Sequence, residues 1–254
     1  GRVIDQRLMG AGSSAVETGH VDRFRLTGAS EGAPIGDIWG RMRVAGQVVW
    51  ASRFHEQVTT TSTGGGKGAP PKPKVTTTEY TYSVSMALAL CRGEITRVGR
   101  IWADGVEISR DDVTIRIYTG AQDQSPDPKI VAVEGMGNVP AYRGIAYVVL
   151  EDLELGQFGN RVPQFSFEVM RPAQGSHIDT VPDLTRGIKG VALIPGTGEY
   201  SLATTPVHFA YDVGNNVSAN INSPAGKADL EVSLEALREE LPACQSVSLV
   251  VSWF

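Results

Sequence analysis

The sequence predicts a mainly β (α+β) protein, built as barrel or sandwich domains with few short helices and a second, smaller α/β region at its C-terminal end. Three observations carry that class. Apolar and polar residues alternate with a period of two over 80–90, 112–118 and 164–169, as half-buried strands require. The runs are separated by turn steps such as Asp104-Gly105, in a chain with 29 glycines and 14 prolines. A sustained helical period occurs over 230–241.

At 254 residues the chain is long enough to bury a sizeable core, as one large β domain or two smaller ones. A hydrophobic fraction of 41% and a charged fraction of 20% fit an ordinary globular composition and exclude a disordered one. The formal net charge of -5 provides no basic field, which argues against wrapping nucleic acid as the main activity. Cys91 and Cys244 lie far apart in apolar surroundings and read as two buried thiols rather than a disulfide or metal pair. The sequence has neither an apolar run of about 18 residues nor a basic-then-apolar leader pattern. It stops inside the apolar run SVSLVVSWF, so a segment of a longer polypeptide is expected.

Residues 1–20 are rich in Gly and Ser, lack periodicity, and read as an arm or linker. A β-rich domain is expected over 21–172. It opens with a strand in which Asp22, Phe24 and Leu26 alternate with Val21, Arg23 and Arg25. Two apolar runs around Ala45-Gly46 then suggest a hairpin. Thr-rich flanks around three consecutive glycines and three prolines predict a long hairpin excursion over 59–79. Lys67 in GGGKG invites comparison with a phosphate-binding loop. The G-x-x-x-x-G-K-[ST] spacing and a following helix are both missing, which favours a plain loop tip.

Beyond the excursion, a strand over 80–90 breaks at Gly93, and a second strand runs into Ile101 and Trp102. The Ala103-Asp104-Gly105 step is a tight turn, so Asp104 is a turn residue before it is a catalyst. Asp127 as N-cap, Pro128 at the first helical position and Gly135 at the end predict a helix of about two turns. Strands at 146–150 and 164–169 are expected to pair antiparallel across a bend at 156–160, and Pro172 closes the unit. After a polar link over 173–180, the second region (173–254) holds two strands around Pro195–Gly198 and a loop over 214–228. Its helix carries Leu230, Leu234, Leu237 and Leu241 on one face, and a buried strand follows Pro242. Strand, helix and strand in that order suggest an α/β unit at the start of a larger domain.

The search for chemistry assigns no catalytic, cofactor-binding or metal-ligating residue. No G-x-S-x-G elbow occurs, and His20, His55, His177 and His208 lack zinc-ligand spacing. Glu151, Asp152 and Glu154, like Asp111 and Asp112, sit as near neighbours whose side chains alternate faces on a strand. A glycosidase instead needs its carboxyls about 5–9.5 Å apart across a cleft. Asp123 and Asp127 offer oxygens to calcium, but their spacing is not that of an EF-hand and capping accounts for Asp127. Trp102 beside Asp104 could stack a sugar. With the acidic 151–154 stretch they define the alternative, a carbohydrate-active enzyme or glycan-binding module acting on the cell envelope.

Four stretches, 31–56, 76–108, 125–172 and 233–254, carry W-A-D-G, P-D-P, P-A-Y-R-G, F-G-N-R-x-P and V-S-W-F in this order. In that combination the chain resembles the baseplate hub protein, sometimes called megatron, of gene transfer agents and siphophage-like tails, related to phage tail tip attachment proteins. The resemblance implies tail-tube-like β-barrel hub domains in a homotrimeric ring at the tail tip. It implies the distal tail protein ring, other hub proteins and the tape-measure protein as partners. DNA would pass transiently without sequence-specific recognition, and other domains would meet the host cell envelope. Assembly in the bacterial cytoplasm and an extracellular particle after release follow from the same likeness. In that family a glycosidase-like domain comes after the V-S-W-F strand, so no wall-degrading activity falls on these residues. On this reading Arg143, Asn160 and Arg161 are hydrogen-bonding turn residues that fix strand register, with Arg161 placed to pair with a carboxylate.

Overall fold

From Val75 to Arg92 the chain has 18 residues without Gly or Pro, rich in Thr, Tyr and Val, and they form one long strand, β5. The structure is a computed structural model and describes residues 14–21, 33–63, 75–171, 184–212 and 214–251. The strand expected from Asp22, the excursion tip at 64–74, the 173–180 link, and Trp253 and Phe254 lie outside the described residues.

Before β5 come β1 (Ser14–Thr18), β2 (Gly40–Ala45), β3 (Gln47–Ala51) and β4 (His55–Thr63). After it come β6 (Arg97–Ala103), β7 (Val106–Ile108), β8 (Thr114–Tyr118), α1 (Pro128–Glu134), β9 (Ile145–Glu154) and β10 (Phe165–Arg171). The fold is mainly β, as the alternating segments predict. β5 is the spine of a six-stranded sheet, flanked on its two sides by β4 and β3, and by β1 and β9, with β8 beyond β9. A four-stranded sheet in the order β2-β10-β6-β7 faces it.

Period two sets the core. Val84, Met86 and Leu88 of β5 and Val148 and Leu150 of β9 meet Val98, Ile101, Phe165, Phe167 and Val169 of the facing sheet, all buried. Each such side chain contributes roughly 1.5–3 kcal/mol by leaving water. The other face of β5 and β9 presents Ala87, Tyr147 and Val149 to Ile130 of α1, and Tyr118 stacks on Tyr147 at 4.4 Å. α1 starts and stops where the sequence says: Asp127 caps the Lys129 and Ile130 N–H groups and Gly135 ends it.

Two expected hairpins are instead crossings between sheets. β2 pairs with β10, and β3 with β5, so the chain changes sheet at Gly46. A Cβ there would lie 3.0 Å from Phe167 and 3.2 Å from Leu88, so the corner turns inside the core where only glycine fits without displacement. Likewise β9 runs on through the acidic 151–154 stretch, and β10 pairs with β2 and β6 rather than with β9. Periodicity fixes which face of a strand is buried, and both strands of a sandwich edge have the same signature as a hairpin.

The C-terminal region contains α2 (Leu184–Gly187), β11 (Gly190–Leu193), β12 (His208–Asp212), β13 (Asn215–Ser218), α3 (Asp229–Glu240) and β14 (Ser246–Leu249). β11 and β14 pair parallel, with α3 in the crossover, the α/β arrangement the sequence order suggests. The two strands expected to flank Pro195–Gly198 do not pair with each other. β12 pairs with β13, inside the stretch read as loop, because Phe209 and Val217 form a cross-strand apolar pair. β14 is exposed along its length, where a buried strand is expected, with Val247 44% and Leu249 42% accessible. Cys91 is buried as expected, and Cys244 is only partly so.

Candidate functional site

β4 and β5 form a two-stranded ribbon that pairs residue by residue from His55↔Ser83 to Thr63↔Val75, and β1 lies parallel to its outer part, from Ser14↔Val75 to Thr18↔Glu79. One face carries Val58, Thr60, Thr76, Thr78 and Tyr80, and the other Gln57, Thr59, Thr61, Thr77 and Glu79. Neither face has the apolar row that would seat it on a core. Thr supplies β propensity without hydrophobicity, so the sequence specifies strands that stay wet on both sides. Among the described residues no strand pairs with the outer edge of β4 or of β1. Within the ribbon itself (14–18, 55–63 and 75–83) lie three carboxylates, Glu17, Glu56 and Glu79, and one basic-type side chain, His55.

The root of the ribbon is tied by the bend at 155–164. Asn160 is buried with a left-handed backbone (φ 55°), and its Nδ2 donates to the carbonyls of Gly19 at 2.7 Å and Tyr80 at 2.9 Å. One side chain thereby joins the end of β1, the middle of β5 and the sheet crossing. Gly19 is required at this approach, since a Cβ there would sit 2.6 Å from the Tyr80 carbonyl oxygen. Next to Asn160, Arg161 meets Asp104 at 2.6 Å, and the second Asp104 oxygen accepts from the Gln164 N–H at 2.9 Å. Arg161 and that N–H hold the Asp104 carboxyl below the usual range. Asp104 also has the left-handed turn backbone (φ 50°) that the Asp-Gly step predicts. The bend residues therefore lock strand register, and the carboxylate expected to pair with Arg161 is Asp104.

Two ion clusters brace the sandwich. Asp127, fully buried, accepts from Arg116 Nε at 2.7 Å and from the Tyr118 hydroxyl at 2.8 Å, besides capping α1. Burial acts to raise its carboxyl, and Arg116, Tyr118 and the Ile130 N–H outweigh that and leave it lowered. Burial and the bond to Asp127 push the Tyr118 hydroxyl up to about 12. Arg116 continues to Glu151, and Lys129 joins Glu151 at 3.3 Å to Asp152 at 2.8 Å. On the other sheet Glu168 takes Arg41 Nε at 2.8 Å, with Arg100 Nη2 and its backbone N–H at 3.1 and 3.3 Å. Burial opposes ionisation there as well, and the two guanidiniums overcome it, leaving the carboxyl at about 2. The sequence carries no local signal for this cluster, because Glu168 occupies an ordinary outward position in the β10 alternation.

The residues of the glycan alternative are engaged in structure. Trp102 is nearly buried, with the Arg43 and Arg100 guanidiniums 4.2 and 5.2 Å from its ring centre. Asp104 serves the turn, and Glu151 and Asp152 serve the Arg116 and Lys129 network. Among the described residues no group of three or more His, Cys, Asp or Glu side chains is placed to hold a metal ion. Asp127, weighed above as a calcium ligand, is occupied by Arg116 and the helix start.

No family model matches the chain, and no curated protein matches it. Among solved structures it is similar to a chain of the "Virion of native gene transfer agent (GTA) particle", with 59% sequence identity over 76% of its length and a TM-score of 0.51. The match spans 39% of that virion chain.

Proposed function

We propose that this chain is a structural component of a phage-like particle of the gene transfer agent type, the part of its tail baseplate hub that encircles the delivery channel. The likeness to a gene transfer agent virion chain supports the particle. The observation that carries the role is the β4–β5–β1 ribbon, polar on both faces and, among the described residues, unpaired at both outer edges. Open edges are templates for further pairing, and a β1 edge of one copy against the β4 edge of the next is a head-to-tail contact that closes into a ring. Three copies around the tail axis form that ring, joined to the distal tail protein on one side and to other hub and tape-measure proteins within. DNA passes through without specific binding, as suits strands that carry Glu17, Glu56 and Glu79 and a chain of net charge -5. The chain acts at the tail tip by geometry, without catalysis of its own, and contact with the host envelope belongs to other domains.

Cysteine pairing tests the ring. With Cys244→Ser as background, Val16→Cys and Thr61→Cys, which the strand register places on the same face of the ribbon, are together expected to give a covalent trimer in assembled particles under oxidation, and each alone only monomer. Monomer from the double variant in intact particles would overturn the edge-to-edge ring.

A further inference from the structure

The helix α3 ends on Glu239 and Glu240, with Arg238 beside them. Carboxylates in a last turn face the negative end of the helix dipole and work against helix stability. A local rule broken in this way calls for a compensating contact elsewhere. The compensation lies on the outer face of the four-stranded sheet. Glu240 takes both Nη groups of Arg41, at 3.1 and 3.2 Å, and lies 3.5 Å from Arg97, while Glu239 lies 3.6 Å from Arg97. Arg41 is already oriented for this contact, because its Nε is fixed by buried Glu168 at 2.8 Å. Holding the guanidinium in advance lowers the entropy lost on forming the two-pronged pair. Between the sheet face and α3 runs a cleft of about 360 Å³, with Arg97, Arg100 and Arg110 on one wall and Lys227, Glu235 and Glu239 on the other. Charged side chains stand on both walls, and Ile101, Ile108, Val232 and Ala236 line the cleft beside them.

We propose that the acidic end of α3 is an electrostatic latch, which clasps the 184–251 unit against the arginine-bearing face of the β2–β10–β6 sheet and releases it when the charge pairs are screened or lost. The latch gives the hub two arrangements of the same two parts. Tight packing between them would allow only one. It stands independently of the ring, since it uses contacts within a single copy.

The test is a distance measured by double electron–electron resonance between spin labels on native Cys244 and on Thr114→Cys, with labelled chain diluted in unlabelled chain. Wild type at low salt is expected to give one narrow distance. Raising salt to roughly 1 M, where the Debye length is about 3 Å, is expected to broaden it and shift it to longer values. Glu239→Gln with Glu240→Gln is expected to give the broad distribution already at low salt. The swap Arg97→Glu with Glu239→Arg is expected to recover part of the narrow one. A narrow distance unchanged by salt in wild type would overturn the latch, whatever the variants do. So would a narrow distance in the double Gln variant with α3 helicity intact by circular dichroism.

Discussion

Asn160 and Tyr80, 80 residues apart in sequence, meet through a single amide that also holds Gly19, so the sheet crossing and the root of the ribbon share one hydrogen-bond donor. Asn160→Ala removes both bonds, leaves two carbonyls unpaired and places alanine in a left-handed backbone. Together these are expected to cost about 2–4 kcal/mol. Urea unfolding reads the loss, and Asn160→Gly, which relieves the backbone but not the bonds, is expected to fall between alanine and wild type. Equal stability of all three proteins would remove the bend from its register-locking role.

Glu168 links stability to acid. Its folded carboxyl, lowered from 4.5 to about 2, contributes stability that is complete above the unfolded value and is lost as pH falls through the folded one. The contribution is on the order of 3 kcal/mol. Unfolding followed from pH 5 to pH 2 is expected to show that decline in wild type and a flatter one in Glu168→Gln, which starts from lower stability. Parallel curves for the two proteins would assign the acid sensitivity to other carboxylates.

At Gly46 the corner between sheets leaves 3.0–3.2 Å between a new Cβ and Phe167 or Leu88. Gly46→Val forces the core apart and is expected to cost roughly 1–3 kcal/mol by overpacking. A thermal melt measures it. A Gly46→Val protein as stable as wild type would show that the corner sits outside the packed core.

Asp104 separates turn from catalysis. Asp104→Ala loses the Arg161 pair and the cap on the Gln164 N–H, with an expected loss of roughly 1–2 kcal/mol. Asp104→Gly keeps the turn backbone and loses less. Turnover of a cell-wall glycan by this chain, abolished in both variants without loss of folding, would instead support the carbohydrate-active reading.

Much of the sandwich is legible in the sequence because the physics is local. Alternation gives β5, β8 and β10, Asp127-Pro128 gives α1, Asp104-Gly105 gives its turn, and the leucine spacing gives α3. What is not legible is partner choice. Nothing in residues 40–51 distinguishes a hairpin from a chain that changes sheets at Gly46, because the difference lies in where Phe167 and Leu88 arrive from. The Glu168 cluster is hidden for the same reason, since Arg41 and Arg100 are brought to it by strand pairing. β13 was hidden by its Asn-rich composition, which reads as loop until Val217 meets Phe209. At the ribbon, the Thr tracts announce extended structure, while the edges left unpaired among the described residues emerge only from the pairing pattern.

A reconstruction of the assembled particle by electron microscopy tests the central claim most directly. The expected result is three copies of this chain around the tail axis, with the ribbon of residues 55–63 and 75–83 forming part of the lumen wall. A single copy off the axis, or a ribbon turned outward with its edges unpaired, would contradict it.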